Sequence, residues 1–236
     1  MPTWSAMVSE IIIALDVPTA DAGYRLLDRL PSARWVKVGS VLFTATGPAL
    51  IGECRARGLQ VFLDLKWHDI PNTVAGAVRA ARELQVSMAT IHTLGGAEMM
   101  AAASEAAAGA MLLVGVTVLT SHSPESFARA TGRPAAAALE PEVARLAAEA
   151  RQAGLSGVVC SPQEVRTVAG VLAPGAAIVV PGIRRPGDAV GDQARSAGPA
   201  EAARAGATHL VVGRPILQAP DPGQVLGEMT AAAAVG

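Results

Sequence analysis

The chain contains 19 lysine and arginine residues, and only Lys37 and Lys66 among them are lysines. Arginine stays protonated in proteins, whereas lysine is a compact cation that can give up its proton. This usage indicates two places where a transferable proton or a compact ammonium is needed. Lys66 stands in the run Asp64-Leu65-Lys66-Trp67-His68-Asp69, so that two carboxylates lie close to it in sequence.

That run predicts a charge cluster with acid–base chemistry. Alternation along a strand places Asp64 and Lys66 on the same side, and Asp69 follows after a short turn. Carboxylates on both sides favour the protonated amine, and a protonated, positioned lysine can act as a general acid. Pro71 suits the first turn of a helix, which would fix Asp69 and Thr73 near the start of that helix.

Three other interpretations of the motif stay open at this point. One is a structural salt bridge. A second is a magnesium site formed by Asp16, Asp64 and Asp69, since Mg²⁺ prefers carboxylate oxygens. A third is a Schiff-base lysine, although such a lysine must lose its proton and the adjacent carboxylates oppose that loss.

The elements that would position these residues alternate regularly along the chain. Short apolar runs, typical of parallel strands covered on both faces, are separated by helical stretches rich in Ala, Leu, Arg and Glu. Eight of each, in 236 residues, predict an α/β fold, a single (β/α)8 TIM barrel spanning residues 1–236 as one catalytic domain. The predicted strands are Ile11–Val17, Trp35–Val38, Gln60–Leu65, Met88–His92, Met111–Val118, Gly157–Cys160, Ala176–Val180 and His209–Val212.

Two segments interrupt this rhythm. Ser121–Pro141 is predicted as a long excursion after the fifth strand, and Pro181–Gly198, with three arginines, as a lid over a ligand. Loops of this length in compact domains are usually functional or disordered.

Active sites of this fold form at the carboxyl ends of the strands, and polar residues end nearly every predicted strand here. Because buried charges are costly unless they are paired, their convergence implies mutual pairing or a ligand. His92 could act as a base, but a single histidine at the end of a strand is more often a hydrogen-bonded structural residue. The strand-end residues are Asp16, Lys37, Asp64 with Lys66, His92, Thr120, Gly182 with Arg184, and Gly213 with Arg214.

The last two strand ends indicate a phosphorylated substrate. They read Pro181-Gly182-Ile183-Arg184 and Val212-Gly213-Arg214-Pro215. Loops after strands 7 and 8 of such barrels often bind phosphate. Glycine allows the backbone to approach an anion closely, and arginine offers a bidentate fork.

The composition of the chain limits the classes of partner that it is expected to bind. A net charge of −1 and 3% aromatic residues argue against nucleic acid and membrane surfaces as partners. No apolar run is long enough to predict a transmembrane helix, and Met1–Glu10 lacks the pattern of a signal peptide. Cys54 and Cys160 are isolated, as in a reducing compartment, so a cytoplasmic location is predicted.

Taken in chain order, several sequence blocks resemble the orotidine 5′-phosphate decarboxylase family. They run from residue 11 to about residue 216, and the block around Lys66 is the most specific. The blocks are Ala14-Leu15-Asp16, Lys37-Val38-Gly39, Phe62–Thr73, His92–Gly96, Val118–Ser121, Pro181–Arg184, Gly191-Asp192-Gln193 and Val212–Pro215.

The resemblance implies decarboxylation of orotidine 5′-monophosphate to UMP, the last step of de novo pyrimidine synthesis, with no metal or organic cofactor. Lys66 would donate the proton that replaces CO₂ at C6, with Asp64 near the departing carboxylate. The remaining implied roles are Lys37 and Asp69 in the charge network, Asp16 and Lys37 on the ribose hydroxyls, Thr120 on the pyrimidine edge, Pro181, Arg184, Gly213 and Arg214 in the phosphate loops, and Gln193 bridging phosphate and base.

The resemblance also implies a homodimer with shared active sites, in which Asp69, Ile70 and Thr73 reach into the neighbouring subunit's site. One alternative is a magnesium-dependent sugar-phosphate decarboxylase or synthase on the same scaffold. Those enzymes need a carboxylate at the end of strand 2, where this chain has Lys37. Another is a nucleotide-phosphate binding protein without turnover, against which the intact Lys66 cluster argues.

Overall fold

A computed structural model describes residues 9–134, 138–185, 188 and 196–234. Within these ranges eight parallel strands close into a barrel in chain order, and the first strand pairs with the last. The predicted fold class, a (β/α)8 TIM barrel, is confirmed. The strands are β1 (Glu10–Ala14), β2 (Trp35–Gly39), β3 (Gln60–Trp67), β4 (Met88–His92), β5 (Leu112–Val116), β6 (Gly157–Val159), β7 (Ala177–Val180) and β8 (His209–Val212).

Helices cover the outside of the barrel. In the described part of the chain, short additional helices follow β2, β5 and β8 besides those that connect the strands. The helices are α1 (Ala20–Asp28), α2 (Ser40–Thr46), α3 (Ala49–Ala56), α4 (Pro71–Glu83), α5 (Gly96–Ala107), α6 (Pro124–Thr131), α7 (Glu140–Gln152), α8 (Val165–Val171), α9 (Pro199–Ala205), α10 (Arg214–Leu217) and α11 (Pro222–Ala234).

Two strands end at least two residues earlier than their apolar composition predicted, and β6 ends one residue earlier, at Val159. β1 stops at Ala14 and β5 at Val116, although Leu15 and Val118 beyond them are buried. Burial continues past the last strand pairing, so hydrophobicity alone overestimates strand length.

The prediction of a plain excursion over Ser121–Pro141 is wrong in its first half, which contains α6. Ser123 caps this helix by accepting a hydrogen bond from the Ser126 amide at 3.2 Å. Proline at the first helical position and Gly132 in a left-handed conformation (φ 68°) bound the helix, as helix ends commonly require. In the predicted lid, residues 186–187 and 189–195 lie outside the described residues.

The two faces of each strand pack into two separate hydrophobic cores. Outward side chains pack under the helices in one large cluster, and inward side chains fill the barrel. Both faces are therefore apolar, as expected for a parallel sheet that is covered on both sides. The buried inward cluster comprises Ile12, Ala14, Trp35, Phe62, Met88, Val114, Ala177, Val179 and Val211.

His209 is a buried titratable residue at the amino-terminal end of the barrel. The Trp35 and His209 rings meet edge to face with centroids 5.3 Å apart, and the Thr208 hydroxyl lies 2.8 Å from His209 Nδ1. Burial disfavours the imidazolium and lowers the pKa of His209 from 6.5 to about 4.

This pKa predicts an acid-sensitive fold. Above about pH 6.5 the ring is neutral in both states; as the pH falls toward 4, only the unfolded state takes up the proton, so stability is lost in that window. We expect the free energy of unfolding to fall between pH 7 and pH 5 by about 2 kcal/mol more in the wild type than in a His209→Gln variant. Urea unfolding at both pH values measures the difference, and equal losses in both proteins would contradict the prediction.

Candidate active site

A cavity of about 520 Å³ opens at the carboxyl ends of the strands. Its volume lies within the usual range for small-molecule sites. Its walls combine charged residues with apolar side chains from the barrel interior. Ten residues predicted from the sequence line it: Asp16, Lys37, Asp64, Lys66, Thr120, Pro181, Gly182, Arg184, Gly213 and Arg214.

The two-residue period of the strands explains why these residues meet. Successive inward positions along the first strand are Ile12 and Ala14, and Asp16 follows at the next step, beyond the end of β1. The same step leads from Trp35 to Lys37 and from Phe62 to Asp64. On these three strands apolar residues thus fill the barrel, and the polar residue that follows them lies at the rim of the carboxyl end.

Four of these side chains form a row of alternating charge, which we call the charge row. Lys37 Nζ lies 3.1 Å from Asp16 Oδ1 and 3.7 Å from Asp64 Oδ2. Lys66 Nζ lies 2.8 Å from Asp64 Oδ1. The two middle side chains are nearly buried, with exposed fractions of 12% for Lys37 and 11% for Asp64, and Lys66 is 39% exposed. The lysine nearest to solvent is therefore the one that the sequence motif singled out.

Lys66 reaches the row through an irregularity in β3. Leu63 pairs with Ala89 and Trp67 with Ile91, so three residues of β3 face one residue of β4. Lys66 has φ 51°, a left-handed conformation that is uncommon outside glycine. The predicted contact of Asp64 with Lys66 is confirmed, but the cause includes this bulge as well as simple strand alternation.

Gly39 leaves room for the charge row. A Cβ atom at this position would lie 3.1 Å from Lys37 Nζ and 3.7 Å from Asp16 Oδ1. A larger residue would therefore crowd the ammonium at the junction of the two carboxylates.

Two arginines also line the cavity. Arg184 follows β7 and is only 9% exposed, and Arg214 begins α10 after β8. The Arg184 amide donates to the Ala197 carbonyl at 3.0 Å, which fixes its backbone. Gly182, which lies between the end of β7 and Arg184, has φ 81°, a conformation that favours glycine. Two guanidinium groups in the wall of this cavity are suited to binding an anion.

His92 lies near the charge row but behaves as a structural residue. Its Nδ1 accepts a hydrogen bond from the Leu94 amide at 3.3 Å, and its ring stacks on that of His68 at 5.4 Å. Burial, followed by repulsion from His68 and Lys66, lowers the pKa of His92 to about 4. A ring that is neutral at pH 7 and already accepts a backbone hydrogen bond is a poor proton donor.

Comparison with known proteins decides the family. The model of the orotidine 5′-phosphate decarboxylase / HUMPS family matches residues 9–229. The orotidine 5′-phosphate decarboxylase of Moorella thermoacetica is 50% identical over 222 residues, covering 90% of this chain and 87% of the relative. That of Alkalilimnicola ehrlichii is 51% identical over 219 residues, covering 91% and 92%. The chain belongs to the orotidine 5′-phosphate decarboxylase / HUMPS family.

A solved structure agrees with that membership. The crystal structure of orotidine 5′-phosphate decarboxylase from Lactobacillus acidophilus aligns with a TM-score of 0.84 at 32% identity, covering 95% of this chain and 99% of the other. The family predicted from the sequence blocks is thereby confirmed. In the described part of this family member, no helix is long and apolar enough to cross a membrane.

Three residues that the family resemblance singled out lie outside the cavity. Asp69, Ile70 and Thr73 are exposed, and the Asp69 carboxylate accepts a hydrogen bond from the Ile70 amide at 2.7 Å. Among the residues that the structure describes, Asp69 forms no ion pair. The expectation that two carboxylates of one chain flank Lys66 is therefore wrong, because the turn after β3 directs Asp69 away from Asp64.

The same geometry bears on two further predictions. The interpretation of the motif as a magnesium site built from Asp16, Asp64 and Asp69 of one chain is wrong, since Asp69 does not line the cavity. No group of three or more His, Cys, Asp or Glu side chains in the described ranges is arranged to hold a metal ion. Gln193, predicted to bridge phosphate and base, lies outside the described residues.

Sequence reasoning missed several residues of the site. Thr90 contacts Asp64 and Lys66 from β4, and its signal was a polar residue within an otherwise apolar strand. The apolar lining gave no signal, because core and ligand-facing residues have the same composition. The missed lining residues are Ala14, Phe62, Val159, Val179, Val211, Leu217 and Gln218.

Proposed function

We propose that this chain decarboxylates orotidine 5′-monophosphate to UMP and CO₂, the last step of de novo pyrimidine synthesis. One observation carries the proposal: the charge row and the two arginines line a single cavity in a member of this family. A nucleotide monophosphate carries the matching groups, with a phosphate at one end and an ionised carboxylate on the base at the other.

In this proposal Lys66 is the proton donor. When the C6 carboxylate leaves as CO₂, the electron pair of the broken bond stays at C6, and a proton from Lys66 Nζ takes its place. The contact with Asp64 Oδ1 at 2.8 Å orients the ammonium through a charge-assisted hydrogen bond. Preorganised cations also stabilise charge that develops at a ring carbon in a site shielded from water.

The other cavity residues bind the nucleotide. Asp16 and Lys37 hold the ribose hydroxyls, and Lys37 also belongs to the charge row through Asp64. Thr120 contacts the pyrimidine edge, and Gln193 bridges base and phosphate. The phosphate is bound by Arg184, Gly213 and Arg214, and Pro181 contributes to the substrate-binding wall of the same cavity. Binding energy from the phosphate end can then be used to organise the reacting end.

We propose that the reaction needs no metal or organic cofactor. Lys37 supports this, because its ammonium lies between Asp16 and Asp64 and would repel a divalent cation there. The magnesium-dependent sugar-phosphate decarboxylase or synthase needs a carboxylate at this strand end. The proposal therefore ranks that alternative below orotidine 5′-monophosphate decarboxylation.

We also propose a homodimer in which Asp69, Ile70 and Thr73 complete the partner's site. Ile70 is 67% exposed and Val41, at the start of α2 on the neighbouring strand's rim, is 74% exposed. An interface between subunits would remove these exposed apolar side chains from water. A second copy on this face would bury them and bring its Asp69 toward Lys66.

The proposal extends to the whole chain, with residues 1–236 acting as one catalytic domain in the cytoplasm. The repeating strands and helices run from Glu10 to Ala234 around one barrel. Cys54 and Cys160 are both buried and are not joined to each other by a disulfide, as is usual in a reducing compartment.

The test is an ultraviolet absorbance assay of purified protein with orotidine 5′-monophosphate in excess EDTA, with UMP identified by mass spectrometry. Turnover in EDTA is expected. A silent wild-type protein would overturn the proposal, and turnover of a sugar phosphate only when Mg²⁺ is supplied would establish the alternative.

A further inference from the structure

Thr90 occupies the gap that the β3 bulge opens opposite β4. Between the paired positions Leu63/Ala89 and Trp67/Ile91, β3 has three residues and β4 has only Thr90. A bulge leaves backbone groups without ladder partners. Thr90 is fully buried, with an exposed fraction of 0%, so these groups need partners inside the protein.

The Thr90 hydroxyl meets two needs at once. Its Oγ1 accepts a hydrogen bond from the Lys66 backbone amide at 2.8 Å. The same hydroxyl donates its proton to Asp64 Oδ1 at 3.1 Å. A hydroxyl has one proton to donate, so the two contacts together fix its orientation.

The two contacts act on the two residues that carry the proposed chemistry. Lys66 holds a left-handed backbone (φ 51°), which persists only where the surroundings determine it. The Asp64 oxygen that accepts from Thr90 is the oxygen that contacts Lys66 Nζ at 2.8 Å. One side chain thus connects the backbone of the lysine with the carboxylate that orients its ammonium.

We propose that Thr90 is a positioning residue for the reaction, holding the Lys66 backbone and the Asp64 carboxylate in their productive arrangement. This inference rests on the proposed function. Thr90 does not line the cavity, so it acts through its two partners, Lys66 and Asp64. Misplacement of a reacting group by a small distance lowers the chemical step more than it lowers substrate binding.

The test compares three variants with the wild type. Thr90→Val removes the hydroxyl at nearly constant volume, Thr90→Ser keeps it, and Thr93→Val is the matched control. Thr93 is also buried, at 1% exposure, and its hydroxyl donates to the Val116 carbonyl at 2.8 Å. Both valine variants therefore lose one buried hydroxyl, but only one of them touches the charge row.

We expect Thr90→Val to lower kcat about 10- to 100-fold with KM changed less than about 3-fold. Thr90→Ser should stay within about 3-fold of the wild-type kcat because its hydroxyl can make both contacts. Thr93→Val should lower the thermal midpoint like Thr90→Val while keeping kcat. If Thr90→Val does not fold, Thr90→Ala removes the same hydroxyl without adding a methyl group, and the same kcat loss is expected.

The outcomes separate this inference from the proposed function. A wild-type protein that does not turn over orotidine 5′-monophosphate defeats the proposed function itself. A normal kcat in the folded hydroxyl-free variant overturns only the role of Thr90. Equal kcat losses in Thr90→Ser and Thr90→Val, or in Thr93→Val and Thr90→Val, would overturn it as well, since the loss would not depend on this hydroxyl.

Discussion

Lys66→Ala is expected to lower kcat for orotidine 5′-monophosphate by about 10⁴-fold or more, because it removes both the proton donor and a cation beside the reacting carbon. The fold should survive the change, since the side chain is 39% exposed and Asp64 keeps its contacts with Lys37 and Thr90. Absorbance kinetics measure the loss of turnover, and a thermal unfolding scan confirms the fold.

Lys66→Arg makes the experiment specific for proton donation. The guanidinium retains the positive charge but does not release a proton under these conditions. We expect this variant to be nearly as inactive as Lys66→Ala while still binding UMP. If Lys66→Arg kept a substantial part of the wild-type kcat, charge alone would be the contribution of Lys66, and its assignment as proton donor would fail.

The predictable part of this protein follows from the two-residue period of its strands. Once Trp35 and Phe62 are placed inside the barrel, Lys37 and Asp64 must face inward at the rim. On β7 and β8 the same rule leads from the inward Val179 and Val211 to Pro181 and Gly213, whereas Arg184 and Arg214 lie in the segments that follow these strands and are not placed by the period. Position along the chain is enough to predict which of the inward residues meet.

The parts that the sequence did not predict depend on departures from that period. The extra residues of β3 and the left-handed Lys66 arise from the fit between two neighbouring strands, which no single segment encodes. The role of Thr90 follows from that mismatch, so it becomes visible only with both strands present. α6 was missed because its capping signal at Ser123 was interpreted as part of a loop.

Asp69 is the residue whose role depends most on a second subunit, and mixing two inactive variants tests it. Asp69→Asn removes the charge with little change in size, and we expect it to lower kcat by about 10²- to 10³-fold. Mixing Asp69→Asn with Lys66→Ala subunits under conditions that exchange subunits should restore turnover. At equal amounts, about half of the dimers are mixed and each contains one intact site, so about a quarter of the wild-type activity should return.

The alternative arrangement gives the opposite result. If Asp69 served the site of its own chain, each mixed dimer would hold one site without Lys66 and one without the Asp69 charge, and no activity would return. Light scattering on the same samples establishes whether dimers are present, so a monomeric protein is recognised directly. Lys66→Ala mixed with Lys66→Arg is the matched control, because neither subunit can supply a proton donor and turnover should stay absent. Recovery in the first mixture alone would require that Asp69 crosses the interface, as the exposure of Ile70 and Val41 beside it leads us to expect.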